Sequence, residues 1–183
     1  MAILEILTVP HPLLTQKCRP VRADEFGAEL ARFCADMAET MYAAPGVGLA
    51  APQVGDLRRI VVADPGNNSR EEEENGNKEV RFVAMINPVI IETSRDSIVW
   101  EEGCLSVPEF NSDVKRPRRA KLRWQDPQGK PEEAWFEGYD AVVVQHELDH
   151  LEGTVILDRV SFFKRSRYLS KRQKQRDRDE ARV

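Results

Sequence analysis

Two of the three histidines in the chain, His146 and His150, stand four residues apart, with Glu147 next to the first. On a helix that spacing puts both imidazoles on one side, one turn apart, where they can share a divalent cation. Glu147 can then reach a water at the cation and act as general base. The competing reading is a solvated helix with two surface histidines. A hydrolytic metal site also needs a third protein ligand and an open position. His11, set between Pro10 and Pro12, reads as a surface turn residue. Cys104, in Glu102-Gly103-Cys104-Leu105-Ser106, is the stronger candidate. Gly103 permits close backbone approach, and Glu101 and Glu102 bring negative charge to a cation. On its neighbours alone, Cys104 stands evenly between ligand and buried thiol; Cys18 and Cys34 read as buried apolar thiols.

These side chains need a scaffold. The segment Tyr139 to Leu151 is locally ambiguous, because Ala141-Val142-Val143-Val144 favours a strand by propensity. Tyr139, Val143, His146 and His150 nevertheless share a helical face, and Gly153 can end the helix, so a helix is expected. An earlier helix is expected around Leu30, Cys34, Met37 and Met41, which fall on one core-facing stripe, with Asp24 as N-cap and Pro45-Gly46 as the stop. Strands are expected at Arg59–Ala63, Phe82–Met85, Val89–Glu92 and Ser97–Trp100. A further pair, Lys121–Gln125 and Glu133–Phe136, flanks the turn Asp126-Pro127-Gln128-Gly129. Residues 64–80, with four glutamates from Glu71 to Glu74, read as a solvated surface loop.

The chain of 183 residues suits one domain. A net charge of −4 argues against nucleic-acid binding by the whole surface. The charge is uneven: eight basic residues and one acidic residue lie between Lys164 and Arg178. We divide the chain into a body, 1–163, and a basic helical tail, 164–183. Three cysteines imply no disulfide framework. The N-terminus has neither the basic nor the long apolar stretch of a signal peptide. No apolar run approaches the roughly 18 residues of a membrane span. The expectation is a cytoplasmic protein with no membrane partner.

Three separated segments resemble the signature motifs of the peptide deformylase family. They are Gly46-Val47-Gly48-Leu49-Ala50-Ala51-Pro52-Gln53, Glu102-Gly103-Cys104-Leu105-Ser106 and Gln145-His146-Glu147-Leu148-Asp149-His150-Leu151. All are complete and in the family's order, and the likeness covers about residues 3–160. The resemblance implies an α+β fold with antiparallel sheets packed around a central metal-binding helix, and a C-terminal helix. It implies hydrolysis of the formyl group from the N-terminal formyl-methionine of new polypeptides, releasing formate. It makes Cys104, His146 and His150 the ligands of one divalent metal per chain. That metal is natively Fe²⁺, with Zn²⁺, Ni²⁺ or Co²⁺ as substitutes, whereas the ligand types alone would suggest zinc. It assigns catalysis to Glu147, to the side-chain amide of Gln53 and to the backbone N–H of Leu105. Substrate contacts are expected at Gly46, Val47, Gly48, Glu102 and Gly103. Trp100, Tyr139, Val142 and Val143 are expected around the methionine side chain. Asp149, off the histidine face, is expected to form a salt bridge, with Arg116 as candidate partner. The resemblance further implies that the basic tail docks on the ribosome near the peptide exit.

Two departures from the commoner family pattern stand out: the acidic stretch at about 66–80 and Phe110-Asn111. Two other functions compete. A His-Glu-x-x-His endoprotease would need a third ligand other than Cys104 and a longer groove. A non-catalytic ribosome-associated module would close the metal's fourth position with another protein ligand.

Overall fold

A computed structural model describes residues 2–66 and 82–180. Most of the acidic stretch lies outside the described residues. Helix α1 (Ala28–Ala43) precedes strands β1 (Gly48–Ala50) and β2 (Ile60–Ala63). Strands β3 (Val83–Thr93), β4 (Ser97–Gly103), β5 (Asn111–Pro117), β6 (Arg119–Gln125) and β7 (Pro131–Glu137) follow. Helices α2 (Tyr139–Leu151) and α3 (Phe162–Glu180) come last. The strands form an antiparallel sheet in the order β1-β2-β3-β6-β7 and a separate pair, β4-β5. This is the expected α+β architecture, and among the described residues no helix is long and apolar enough to cross a membrane.

Alternation on β2 explains why the large sheet carries helices on both faces. Val61 points into a cluster with Met85, Leu122, Trp124 and Phe136, which α2 closes with Ala141, Val144, Leu148 and Leu151. Ile60 and Val62 point the other way, onto Leu30, Cys34, Met37 and Met41 of α1. The methionines are core, and Cys18 and Cys34 are buried and unpaired as thiols. The β6–β7 turn forms as expected: the Asp126 carboxylate accepts from Gln128 N and Lys130 N, and Gly129 takes a φ of 88°.

Several boundaries differ from expectation. Helix α1 starts four residues past Asp24, after Gly27, whose N–H is donated to Pro127 O. Asp24 instead sits in a short 3-10 turn, Ala23–Glu25, where Glu25 caps the Arg22 N–H and pairs with Arg19. The two strands expected at Phe82–Met85 and Val89–Glu92 are one strand, β3. Its break at Asn87-Pro88 is a register shift with Asn87 at φ 53°, and Asn87 is tied to Val21 by two hydrogen bonds. Strands β1 and β5 were not expected. Helix α2 spans the expected residues and is a helix despite its β-branched run, because both its faces are covered.

Candidate active site

Helix α2 begins after Gly138, and ten of its thirteen residues are buried. His146 and His150 face the turn that leaves β4. There Cys104 Sγ lies 3.3 Å from His150 Nε2, and one donor atom from each of Cys104, His146 and His150 falls within 4.8 Å of the others. Among the described residues this is the one such group of three. His11 stands apart, at the head of a 3-10 turn, accepting from Leu13 N.

His146 is oriented from behind, whereas His150 Nδ1 is buried with no hydrogen-bond partner among the described residues. His146 Nδ1 is 2.8 Å from Glu102 Oε2, so that nitrogen is committed to the carboxylate and Nε2 is left for the cysteine side. Glu102 is gripped in turn by Arg116, through Nε at 2.5 Å and a second nitrogen at 2.8 Å. Arg116 also reaches Asp149 at 2.9 Å, the expected salt bridge, and Asp149 pairs with Arg159 as well. Burial pushes the Glu102 carboxyl up, but Arg116 and His146 reverse that and hold it below its ordinary value. Burial also pulls both imidazoles toward the neutral form. On His146 the bonds to Cys104 and Glu102 win and raise it, whereas His150 falls well below the usual histidine value. The donor set suits a cation: a thiol and two buried imidazoles, one of them held by a carboxylate.

Glu147 follows His146 in the chain and lies beside this cluster. Burial pushes its carboxyl up to about 7, and its Oε2 has no partner among the described residues. A buried, unpartnered carboxyl titrating near neutrality can take up and return a proton. Gln53 faces it. Its Oε1 accepts from Ala50 N at 2.8 Å, which turns the amide so that Nε2 points at Ser106 Oγ, 3.2 Å away, and at Cys104. The donor end of Gln53 therefore points into the site.

Gln53, Glu102, Cys104, His146 and Glu147 line a cavity of about 440 Å³. Every residue singled out for substrate contact lines it: Gly46, Val47, Gly48, Trp100, Glu102, Gly103, Tyr139, Val142 and Val143, as does Leu105. Trp100 and Tyr139 pack with their rings tilted by 44° and centroids 5.2 Å apart. Two details change the expected reading. Glu102 lines the wall, but both its oxygens are engaged by Arg116 and His146. Gly48 is buried, and a Cβ there would come within 2.5 Å of Glu147 Oε1; one on Gly46 would meet Leu105 Cδ1 at 2.9 Å. These glycines make room for the protein's own groups as well as for a ligand. Sequence reasoning did not find Arg116 as the holder of Glu102. Its signal was available in β5, where Ser112, Val114 and Arg116 are buried in alternation. Pro45, Pro108 and Glu109 also line the cavity and were not expected there.

Fold and site together define a class: an α+β protein that presents a Cys-His-His cluster and a buried glutamate at the base of an apolar-walled cavity. The sequence and its relatives make the class definite. The polypeptide deformylase family model matches residues 3–166. A peptide deformylase of Phenylobacterium zucineum is 48% identical over 93% of this chain and 95% of its own length. The crystal structure of a peptide deformylase from Legionella pneumophila superimposes with a TM-score of 0.82 at 36% identity, covering 100% of this chain and 99% of that one. One from Thermotoga maritima gives 0.78 at 40% identity, over 88% and 99%. The chain belongs to the peptide deformylase family, whose members are metal-dependent hydrolases that remove the N-terminal formyl group. Neither the endoprotease nor the non-catalytic module is favoured.

Proposed function

We propose that the chain hydrolyses the formyl group of N-terminal formyl-methionine on newly synthesised polypeptides, with Cys104, His146 and His150 holding the metal. The observation that carries this assignment of residues is the convergence of those three side chains with Glu147 and the inward-facing amide of Gln53 at one end of the cavity. A bound divalent cation, Fe²⁺ in the native protein, would supply Lewis acidity that makes water nucleophilic near neutral pH.

The protein's own groups do the rest. Trp100, Tyr139, Val142 and Val143 receive the methionine side chain and exclude water from it. Gln53 Nε2 and the Leu105 N–H donate to the formyl oxygen as negative charge builds there, without having to reorganise first. Glu147 takes the proton from the attacking water at its carboxylate and returns it to the departing amine. Glu102 acts by holding His146, and Arg116 by holding Glu102; neither needs to touch the substrate. Anaerobically purified protein should turn over formyl-Met-Ala-Ser and carry about one iron per chain. Absence of turnover would sink the function; zinc in an active sample would sink the choice of metal.

We assign the body, 1–163, to catalysis in the cytoplasm and the basic segment 164–178 to electrostatic docking on the ribosome, where the substrate emerges. Deleting the residues after Leu169 should abolish salt-sensitive co-sedimentation with ribosomes, and unchanged co-sedimentation would overturn that assignment.

A further inference from the structure

The first turns of α3 are bonded to the wall of the cavity. The segment Pro108–Ser112 leaves the cysteine motif, and its first two residues, Pro108 and Glu109, line the site. Tyr168, buried on α3, donates from its hydroxyl to Pro108 O at 3.0 Å. Its ring meets the Phe110 ring edge-on, with centroids 5.2 Å apart. Lys171 Nζ reaches Glu109 at 3.0 Å, and Lys164 Nζ reaches the buried Ser112 hydroxyl at 3.1 Å. Between these attachments Glu109 adopts a φ of 59°, in the left-handed region that a residue with a Cβ occupies only when its surroundings hold it there. This segment does not keep its shape by local preference.

Its place in the cavity indicates what it would touch. His146, Glu147 and Val142 at the metal end are buried, whereas Glu109 is exposed and Pro108 half-buried. The exposed part of the lining is Pro45, Trp100, Glu101, Gly103 and Glu109, so a peptide whose formyl group sits at the buried end has Glu109 among the residues it meets on the way out. Resting on the deformylase reading above, we propose that Tyr168 is a positioning residue. It fixes the Pro108–Phe110 wall and thereby sets affinity for the substrate residues that follow formyl-methionine, without taking part in bond cleavage. Lys171 contributes less, since its ion pair is exposed.

The test compares the full-length, metal-loaded protein with Tyr168→Phe, which keeps the ring and its contact with Phe110 and removes only the hydroxyl. Both are assayed on formyl-Met-Ala-Ser and on free formyl-methionine. Loss of one neutral hydrogen bond should raise KM for the tripeptide about threefold. The kcat and the kinetics on formyl-methionine should stay unchanged. Three outcomes overturn the proposal: an unchanged KM, an equal rise on both substrates, or a fall in kcat, which would mean that the disturbance had reached Cys104. Failure of the unsubstituted protein on both substrates would instead overturn the deformylase reading.

Discussion

Helices α2 and α3 follow one another in the chain and meet opposite environments. Helix α2 is buried over most of its surface and is packed between the large sheet and the cysteine turn. Helix α3 anchors itself through Tyr168 and Leu169 and leaves Phe162, Phe163 and Lys171 exposed. The proposed chemistry, which depends on close placement, sits on the first, and the proposed recognition by charge sits on the second. The difference is physical: a buried charge must be held by specific partners, as Glu102 and Arg116 are, whereas a solvated charge needs only its sign.

If this contrast is right, substitutions around α2 should cost far more than substitutions along α3. The largest effect is expected from Glu147→Ala, which should lower kcat on formyl-Met-Ala-Ser by about 10²–10⁴-fold while metal content stays unchanged. Arg116→Ala comes next. It strips Glu102 and Asp149 of a buried partner and should lower stability by about 3–5 kcal/mol in urea titrations. Gly48→Ala would push the Glu147 carboxyl aside and should cost about 10²-fold in kcat with little change in melting temperature.

A gentler probe uses the thiols. Burial pushes Cys18 up to about 11 and Cys34 up to about 12, so at pH 8 neither carries appreciable thiolate. Iodoacetamide should label only Cys104 in metal-free protein, as read by peptide mass spectrometry, with Cys18 and Cys34 labelled only after denaturation. Truncation after Leu169 should give the smallest effect: stability within about 0.5 kcal/mol and kcat/KM on the short peptide within about twofold. A large loss from truncation, or none from Arg116→Ala, would break the contrast.

The same two environments decide what could be read from the sequence. His146, Glu147 and His150 were legible because helical spacing carries them. Their helix was legible from that spacing even though Val142, Val143 and Val144 spoke for a strand. Cys104 was not legible from its neighbours: its partners are 42 and 46 positions away, and only the joint motifs pointed to it. Strand β5 was hidden because Arg116, a charged residue, occupies an inward position. Strand β1 was hidden because Gly48-Leu49-Ala50 is too short and too uniformly buried to alternate. Helix α1 started late because Ala23–Glu25 forms a separate turn, capped by Glu25, and the helix begins only after Gly27.

The burial of α2 has a last consequence, in kinetics. Its backbone amides can meet solvent only when the sheet–helix core opens, so their hydrogen exchange should be among the slowest in the molecule. The two histidines of the proposed metal site, both buried on α2, cannot be bared by fraying of a helix end alone. An ion held there by the folded protein is expected to enter and leave along the cavity that Cys104 and His146 line. The rate of metal exchange should follow access to that cavity rather than the unfolding rate of the chain.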